Sequence, residues 1–273
     1  MKKTIVREYR LQSPYIKEKQ ELTLAFLTDL HDRVTGEDGE RIFQLLEKQH
    51  PDLVLVGGDV VVGKKGCETE KAFGFLKKLS ETYPVYYASG NHEQRIVEHP
   101  EIYGEVGKRY EAAVEELPLL RLRNRKVQVE KKGIPLTICG LEPDERFYEK
   151  GRRKEGMVEE LEKRFGQPDT DRVTILLAHN PRYKKEYLSW GATVTFCGHY
   201  HGGVMMLGKR RGAISPDFRI FPGECGGIHK RGEHAVIVSA GLGEHTIPLR
   251  IHNPRELTIL RICALQNRKM PVK

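Results

Sequence analysis

Short apolar runs that each stop at metal-ligating side chains constrain the fold of this chain more than its composition does. Residues 22–28, 53–56, 84–88, 173–178 and 194–197 are short and continuously apolar, as buried strands are. They run into Asp29-Leu30-His31, Gly58-Asp59, Gly90-Asn91-His92-Glu93, His179-Asn180-Pro181 and Gly198-His199-Tyr200-His201-Gly202-Gly203. Between the first three lie helical patterns. Ile42, Leu45 and Leu46 fall within 40–50, which Pro51 closes; Ala72, Phe73, Leu76 and Leu79 mark a second. Ile102, Val106, Tyr110 and Val114 suggest a third, with Gly104 and Gly107 weakening it. This alternation predicts an α/β fold around a largely parallel sheet, whose functional groups gather beyond the carboxyl ends of the strands.

The remainder is less regular. Residues 120–122 and 127–129 alternate like half-exposed strands, 134–140 reads as a buried one, and 155–165 is amphipathic through Met157, Leu161 and Phe165. Residues 204–233 are Gly-rich and basic and read as a long surface loop, followed by late strands at 234–240 and 256–263 and a frayed tail at 267–273. No Pro/Gly/Ser-rich linker divides the chain, so a single domain over residues 1–273 is expected, with its motif-bearing core at 22–203.

Lys and Arg outnumber Asp and Glu by 46 to 38, a formal +8 that suits acidic partners such as phosphates, nucleic acid or anionic lipid. With 31% of residues charged throughout the chain, a generally solvated surface explains the same balance. The five cysteines, at 67, 139, 197, 225 and 263, form no CxxC and read as reduced thiols of a cytoplasmic protein. The start, Met-Lys-Lys-Thr-Ile-Val, has no apolar core of signal-peptide length, and no run approaches the ~20 apolar residues of a membrane span.

The donor set is two carboxylates (Asp29, Asp59), one amide oxygen (Asn91) and four imidazoles (His31, His179, His199, His201). If the segments are extended, residues i and i+2 share a side, so Asp29 pairs with His31 and His199 with His201. Oxygen and nitrogen donors without thiolate suit Mn, Fe, Zn, Co or Ni. Seven side chains exceed what one ion needs; two ions bridged by Asp59 would use them and leave room for water and substrate. Two divalent ions, two carboxylates and a hydroxide leave the site net positive, which attracts a phosphate oxyanion and places a nucleophile beside phosphorus.

Taken together and in order, these motifs resemble the calcineurin-like metallophosphoesterase superfamily, whose pattern runs D-x-H, G-D, G-N-H-[DE], H and G-H-x-H, over roughly residues 22–203. The resemblance implies a four-layer α-β-β-α sandwich of two mixed sheets flanked by helices. It implies one ion on Asp29, His31, Asp59 and His201, the other on Asp59, Asn91, His179 and His199, and His92 as general acid or phosphate contact. The Gly-His-Tyr-His-Gly-Gly form, with Asn-Pro after His179, is similar to small bacterial phosphodiesterases, some of which cleave UDP-2,3-diacylglucosamine at its pyrophosphate. Three departures stand out. Val62 occupies a position where many relatives carry Asp, Val204 one where bacterial relatives often carry Gln, and the membrane anchor many of them begin with is missing.

The expected activity is therefore manganese-type, dinuclear metal-dependent hydrolysis of a phosphodiester or pyrophosphate in a small-molecule or nucleotide-type substrate. Asn91, His92 and Tyr200 would touch the substrate. Tyr200 has a second reading, packing between its flanking ligands, and Glu93 reads as support for a ligand. His229 and His245 are the other histidines placed nearest the pocket, ahead of His50, His99, His234 and His252. Lys64, Lys65, Lys209, Arg210, Arg211, Lys230 and Arg231 are either phosphate contacts or solvated charge. A nuclease or phosphomonoesterase on the same site, or a non-catalytic interaction scaffold, are the alternatives. No basic stripe interleaved with aromatics supports nucleic acid, a scaffold would typically lack some of the ligands retained here, and no protein partner is inferred.

Overall fold

Continuously apolar strands need cover on both faces, and two sheets stacked between helices provide it. In this computed structural model, residues 4–32, 36–67, 69–203, 206–207, 211–212, 225–243 and 250–265 are described. The strands are β1 (Thr4–Ser13), β2 (Glu21–Leu27), β3 (Leu53–Val56), β4 (Val85–Tyr87), β5 (Leu120–Arg121), β6 (Arg125–Lys131), β7 (Ile134–Leu141), β8 (Val173–Ala178), β9 (Val194–Cys197), β10 (Met206–Leu207), β11 (Arg211–Gly212), β12 (Gly227–Arg231), β13 (His234–Val238) and β14 (Arg255–Ala264). The helices are α1 (Glu37–Gln49), α2 (Glu70–Thr82), α3 (Asn91–Glu98), α4 (Pro100–Tyr103), α5 (Val106–Glu115), α6 (Met157–Phe165) and α7 (Lys184–Trp190).

Two six-stranded sheets form, ordered β1-β14-β2-β3-β4-β5 and β12-β13-β9-β8-β7-β6; β10 and β11 pair separately. Both are mixed. In the first, β14 runs antiparallel to β2 and the other pairs are parallel. In the second, the outer pairs β12–β13 and β6–β7 are antiparallel around a parallel centre.

The two-residue period of a strand sorts each one between layers. On β2, Leu22, Leu24 and Phe26 join the apolar cluster between the sheets, with Ile138, Ile175 and Phe196 of the second sheet, while Ala25 and Leu27 join the cluster under α1 and α2. A third cluster lies between the second sheet and α6 and α7, through Leu161, Phe165, Tyr187 and Trp190. Three apolar seams separate four layers. The rings of Phe26 and Phe196 meet at 4.9 Å and join β2 to β9 directly, worth about 0.5–1.5 kcal/mol beyond the area they bury.

Several elements depart from the sequence reading. β1 carries no apolar run; only Leu11 and Ser13 along it are buried, because it is an edge strand paired to β14. Residues 91–98 form α3, where the sequence reading assigns no element. The single helix expected across 102–114 is two, α4 and α5, with the break at Gly104. Ile102 is therefore left 53% exposed. The 204–233 stretch contains β10, β11 and β12; residues 213–224 within it, with Lys209, Arg210, His245 and the tail 267–273, lie outside the described residues. No helix among the described residues is long and apolar enough to cross a membrane.

Candidate metal centre

The carboxyl ends of β2, β3, β4, β8 and β9 reach one edge of the sandwich, and every expected ligand stands just past one of them. Five of them are not presented from extended backbone. Asp29, His31, Asp59, His199 and His201 have φ of 56°, 49°, 51°, 68° and 48°, all left-handed. Asp, Asn and His tolerate that region better than most residues, at roughly 1–2 kcal/mol each. Such strain persists only where neighbours over-determine it, and here the loops after β2 and β3 grip each other. The Asp29 N–H donates to Gly58 O at 2.9 Å and the His31 N–H to Asp59 O at 3.0 Å. Gly58, at φ 85°, lies so close to Gly90 that a Cβ there would overlap its backbone.

Three groups of side chains offer ligand atoms mutually within 4.8 Å: Asp29 with His31 and His201, Asp59 with His179 and His199, and His31 with Asp59 and His92. The pieces interlock around Asp59. His31 Nε2 and His201 Nε2 are 3.0 Å apart, and His201 Nε2 is 3.4 Å from Asp29 Oδ1. Asp59 Oδ2 is 3.1 Å from His179 Nε2 and 3.9 Å from both His31 Nε2 and His92 Nε2. Asn91 begins α3, and its Oδ1 is buried without a hydrogen-bond partner. A buried amide oxygen left bare is destabilising unless something accepts its lone pairs. A cation at this spot does so, and oxygen and imidazole donors are what such a cation takes. The residues fit a pair of divalent ions.

The electrostatics agree. Burial pushes the Asp29 carboxyl up to about 7, against the pull of His179. Burial acts the same way on Asp59, yet His179, His92 and His31 outweigh it and hold that carboxyl well below the usual range. His179 is raised to about 10: burial disfavours its cation, but Asp59 and then Asp29 more than compensate. Its Nδ1 is bonded to Gly57 O at 2.7 Å, which turns Nε2 toward the carboxylates. Burial lowers His92, despite Asp59.

Several residues that are not expected ligands hold this arrangement in place. Glu93, fully buried, accepts N–H groups from Asp59 (2.8 Å), Val60 (2.7 Å), Val61 (3.0 Å) and Gly90 (2.7 Å), fastening the loop after β3 to the start of α3. Asn253 Nδ2 donates to His201 O at 2.6 Å and Gly203 O at 2.8 Å, fixing the Gly-His-Tyr-His-Gly-Gly turn. Nothing near Asn253 in sequence signals that role. Asn180 and Arg182, just past His179, donate to Phe147 O and Glu149 O and hold the wall that carries Tyr148.

A cleft of about 650 Å³ opens over the centre, bordered by Asp59, Asn91, His92, His199 and His201 and walled by Arg95, Tyr148, Arg146 and Lys150. The Tyr148 ring stands edge-on to His199 at 5.7 Å. Tyr200 is a correction: its ring is fully buried, 5.4 Å from the His199 ring, and presents no face on which a base or sugar could stack. Lys64, Lys65, Lys230, Arg231 and His229 are not among the cleft residues; the wall supplies other cations, reached by α3 and the turn at Glu145–Tyr148.

The sequence profile described as calcineurin-like phosphoesterase matches residues 22–203. The uncharacterized Bacillus subtilis protein YpbG is 28% identical over 255 residues, 91% of this chain and 83% of its own length. The uncharacterized metallophosphoesterase YkoQ of the same organism is 23% identical, over 92% of this chain and 87% of its own. Among solved structures, TT1561 of Thermus thermophilus superposes with a TM-score of 0.48 at 14% identity, covering 81% of this chain and 90% of that one.

Proposed function

Because this chain belongs to the calcineurin-like phosphoesterase family, and is thereby a metal-dependent phosphoric ester hydrolase, we propose that it cleaves phosphodiester or pyrophosphate bonds at the Asp59-centred site. In this reading Asp29, His31, Asp59 and His201 hold one divalent ion, and Asp59, Asn91, His179 and His199 hold the other. The observation that carries it is the shared position of Asp59 between two ligand groups, beside an Asn91 oxygen that lacks any other partner. Two such ions supply a hydroxide near neutral pH and offset the charge that grows on the phosphoryl oxygens.

The chain's own residues do the rest. Asp59 fixes the spacing of the two halves; its Oδ1 also accepts the His92 N–H at 3.0 Å, which ties the first turn of α3 to the centre. His92 lines the cleft, where it would face a bound phosphoryl group. Arg95, one turn further on the same helix, lines the cleft; at that spacing it shares a face with His92 and suits a second anionic group beside the scissile phosphorus. An open cleft whose wall interleaves Arg95, Arg146 and Lys150 with Glu98, Glu145 and Glu149 leaves room for a substrate with substituents on both sides of phosphorus. The five free cysteines support a reducing, cytoplasmic setting.

The test is the protein loaded with Mn and assayed on an aryl phosphodiester, an aryl phosphomonoester and a dinucleotide pyrophosphate. Diester or pyrophosphate turnover above monoester turnover, abolished by EDTA and restored by Mn, is expected. A monoester preference would overturn the bond assignment. Turnover untouched by exhaustive chelation would overturn the metal assignment.

A further inference from the structure

We infer that His92 meets the substrate as a hydrogen-bond donor through Nε2–H and not as a proton donor, oriented from behind by the Gly63 amide, with Asp32 as the positioning residue that holds that amide in place. This rests on the reading above only in placing a phosphoryl group before His92. The Gly63 N–H donates to His92 Nδ1 at 2.7 Å. A backbone amide can only donate, so Nδ1 must offer a lone pair, and the ring's one hydrogen sits on Nε2. A second hydrogen on Nδ1 would set two N–H groups against each other at that distance. Nε2 looks the other way, 3.9 Å from Asp59 Oδ2 and into the cleft.

An imidazole with one hydrogen can lend it to a phosphoryl or leaving oxygen but does not surrender it. In the reaction the new P–O bond forms as the old P–O bond breaks, and the departing alkoxide takes its proton from water. No bond of His92 changes. Its contribution is a donor aimed where negative charge develops.

The amide that sets this up is itself anchored. The neighbouring Val62 N–H donates to Asp32 Oδ2 at 3.0 Å, and the Asp32 N–H donates to Val60 O at 3.0 Å, so Asp32 clamps the segment leading into Gly63. The approach is close: a Cβ at position 63 would come 3.0–3.3 Å from His92 O, Nδ1 and Cα. Any side chain there presses on the ring that the amide aligns.

The direct experiment is NMR of the full chain labelled with ¹⁵N-histidine, metal-free and loaded with diamagnetic Zn, with the His92 signals assigned through His92→Gln. Long-range ¹⁵N–¹H correlations separate the tautomers, and the Nε2–H form is expected. Kinetically, the Gln amide nitrogen reaches the place of Nε2, so His92→Gln should stay within about 10-fold of the parent while His92→Ala loses about 100-fold. The loss should be equal for aryl diesters of differing leaving-group basicity. Asp32→Ala should move the His92 signals and lower kcat with KM little changed, and Asp32→Asn, which keeps the acceptor, should restore both. An Nδ1–H or doubly protonated ring overturns the proposal. So does a His92→Gln variant as slow as His92→Ala with a deficit that grows with leaving-group basicity. If no phosphate ester turns over, the functional reading fails and the NMR result still decides the orientation of the ring.

Discussion

The loops after β2, β3 and β4 bring both carboxylates, the amide and two imidazoles to the centre, whereas those after β8 and β9 bring only imidazoles: His179, His199 and His201. Their fastening differs in the same sense. The first set is held by a buried carboxyl, Glu93, which takes four N–H groups. The second is held by a neutral amide, Asn253, and by acceptors borrowed from the first set. The His199 N–H lies 3.0 Å and 3.2 Å from the two oxygens of Asp29, and His179 bonds Gly57 O. The first sheet therefore supplies the negative charge, and the second supplies rings aligned against it.

Removing the hinge between the halves should have the largest effect. Asp59→Ala is expected to strip both ions and lower turnover by at least about 1,000-fold, read from metal analysis and diester hydrolysis. Retention of one ion at full occupancy would break the picture of a shared carboxylate. Next come the two fasteners. Glu93→Ala leaves four buried N–H groups without their acceptor, each at about 1–3 kcal/mol, whereas Asn253→Ala should lose about 1–3 kcal/mol in all. Denaturant titration of the metal-free proteins compares them, and equal losses would erase the asymmetry.

Protonation offers a gentler probe. Asp29, raised to about 7, and His179, also raised, both hold protons in the metal-free site near neutrality. Both must release them to become ligands. Metal affinity should therefore climb between about pH 6 and pH 8, with proton release on binding measurable by calorimetry in buffers of different ionisation enthalpy; an affinity flat with pH would contradict the raised carboxyl. The smallest effect is expected from Arg95→Ala, a rise in KM of about 5-fold for a pyrophosphate substrate, greater than for an aryl diester with a single charge.

The sequence made the strands legible where burial on both faces demanded largely apolar runs, as at β3, β8 and β9, and it made the ligands legible because each follows such a run. β1 was hidden because an edge strand needs little apolar surface: Arg7, Glu8 and Arg10 alternate along it without harm. α3 was hidden because its first turn is the Asn91-His92-Glu93 motif, and a ligand sequence looks the same at a helix start as in a loop. The side-by-side geometry inferred for Asp29 and His31 came from assuming extended backbone; the left-handed turns that bring them together depend on Gly58 and Asp59, some thirty positions away. Asn253 was illegible for a related reason, since its bonds to His201 and Gly203 span 52 and 50 positions. Tyr200 carried two readings because a tyrosine between two ligands can face a substrate or pack beneath them, and its burial matches the second.

The place of β14 has a consequence for how the molecule is made. This strand, residues Arg255–Ala264, lies between β1 and β2, so the strand that delivers Asp29 lacks one neighbour until nearly all of these residues have been translated. Emerging vectorially from a ribosome, the nascent polypeptide would carry its early motifs with an open seam beside them until that strand follows. A finished seat for the cations thus waits on the latecomer, with Asn253, just ahead of it, latching the turn around His201.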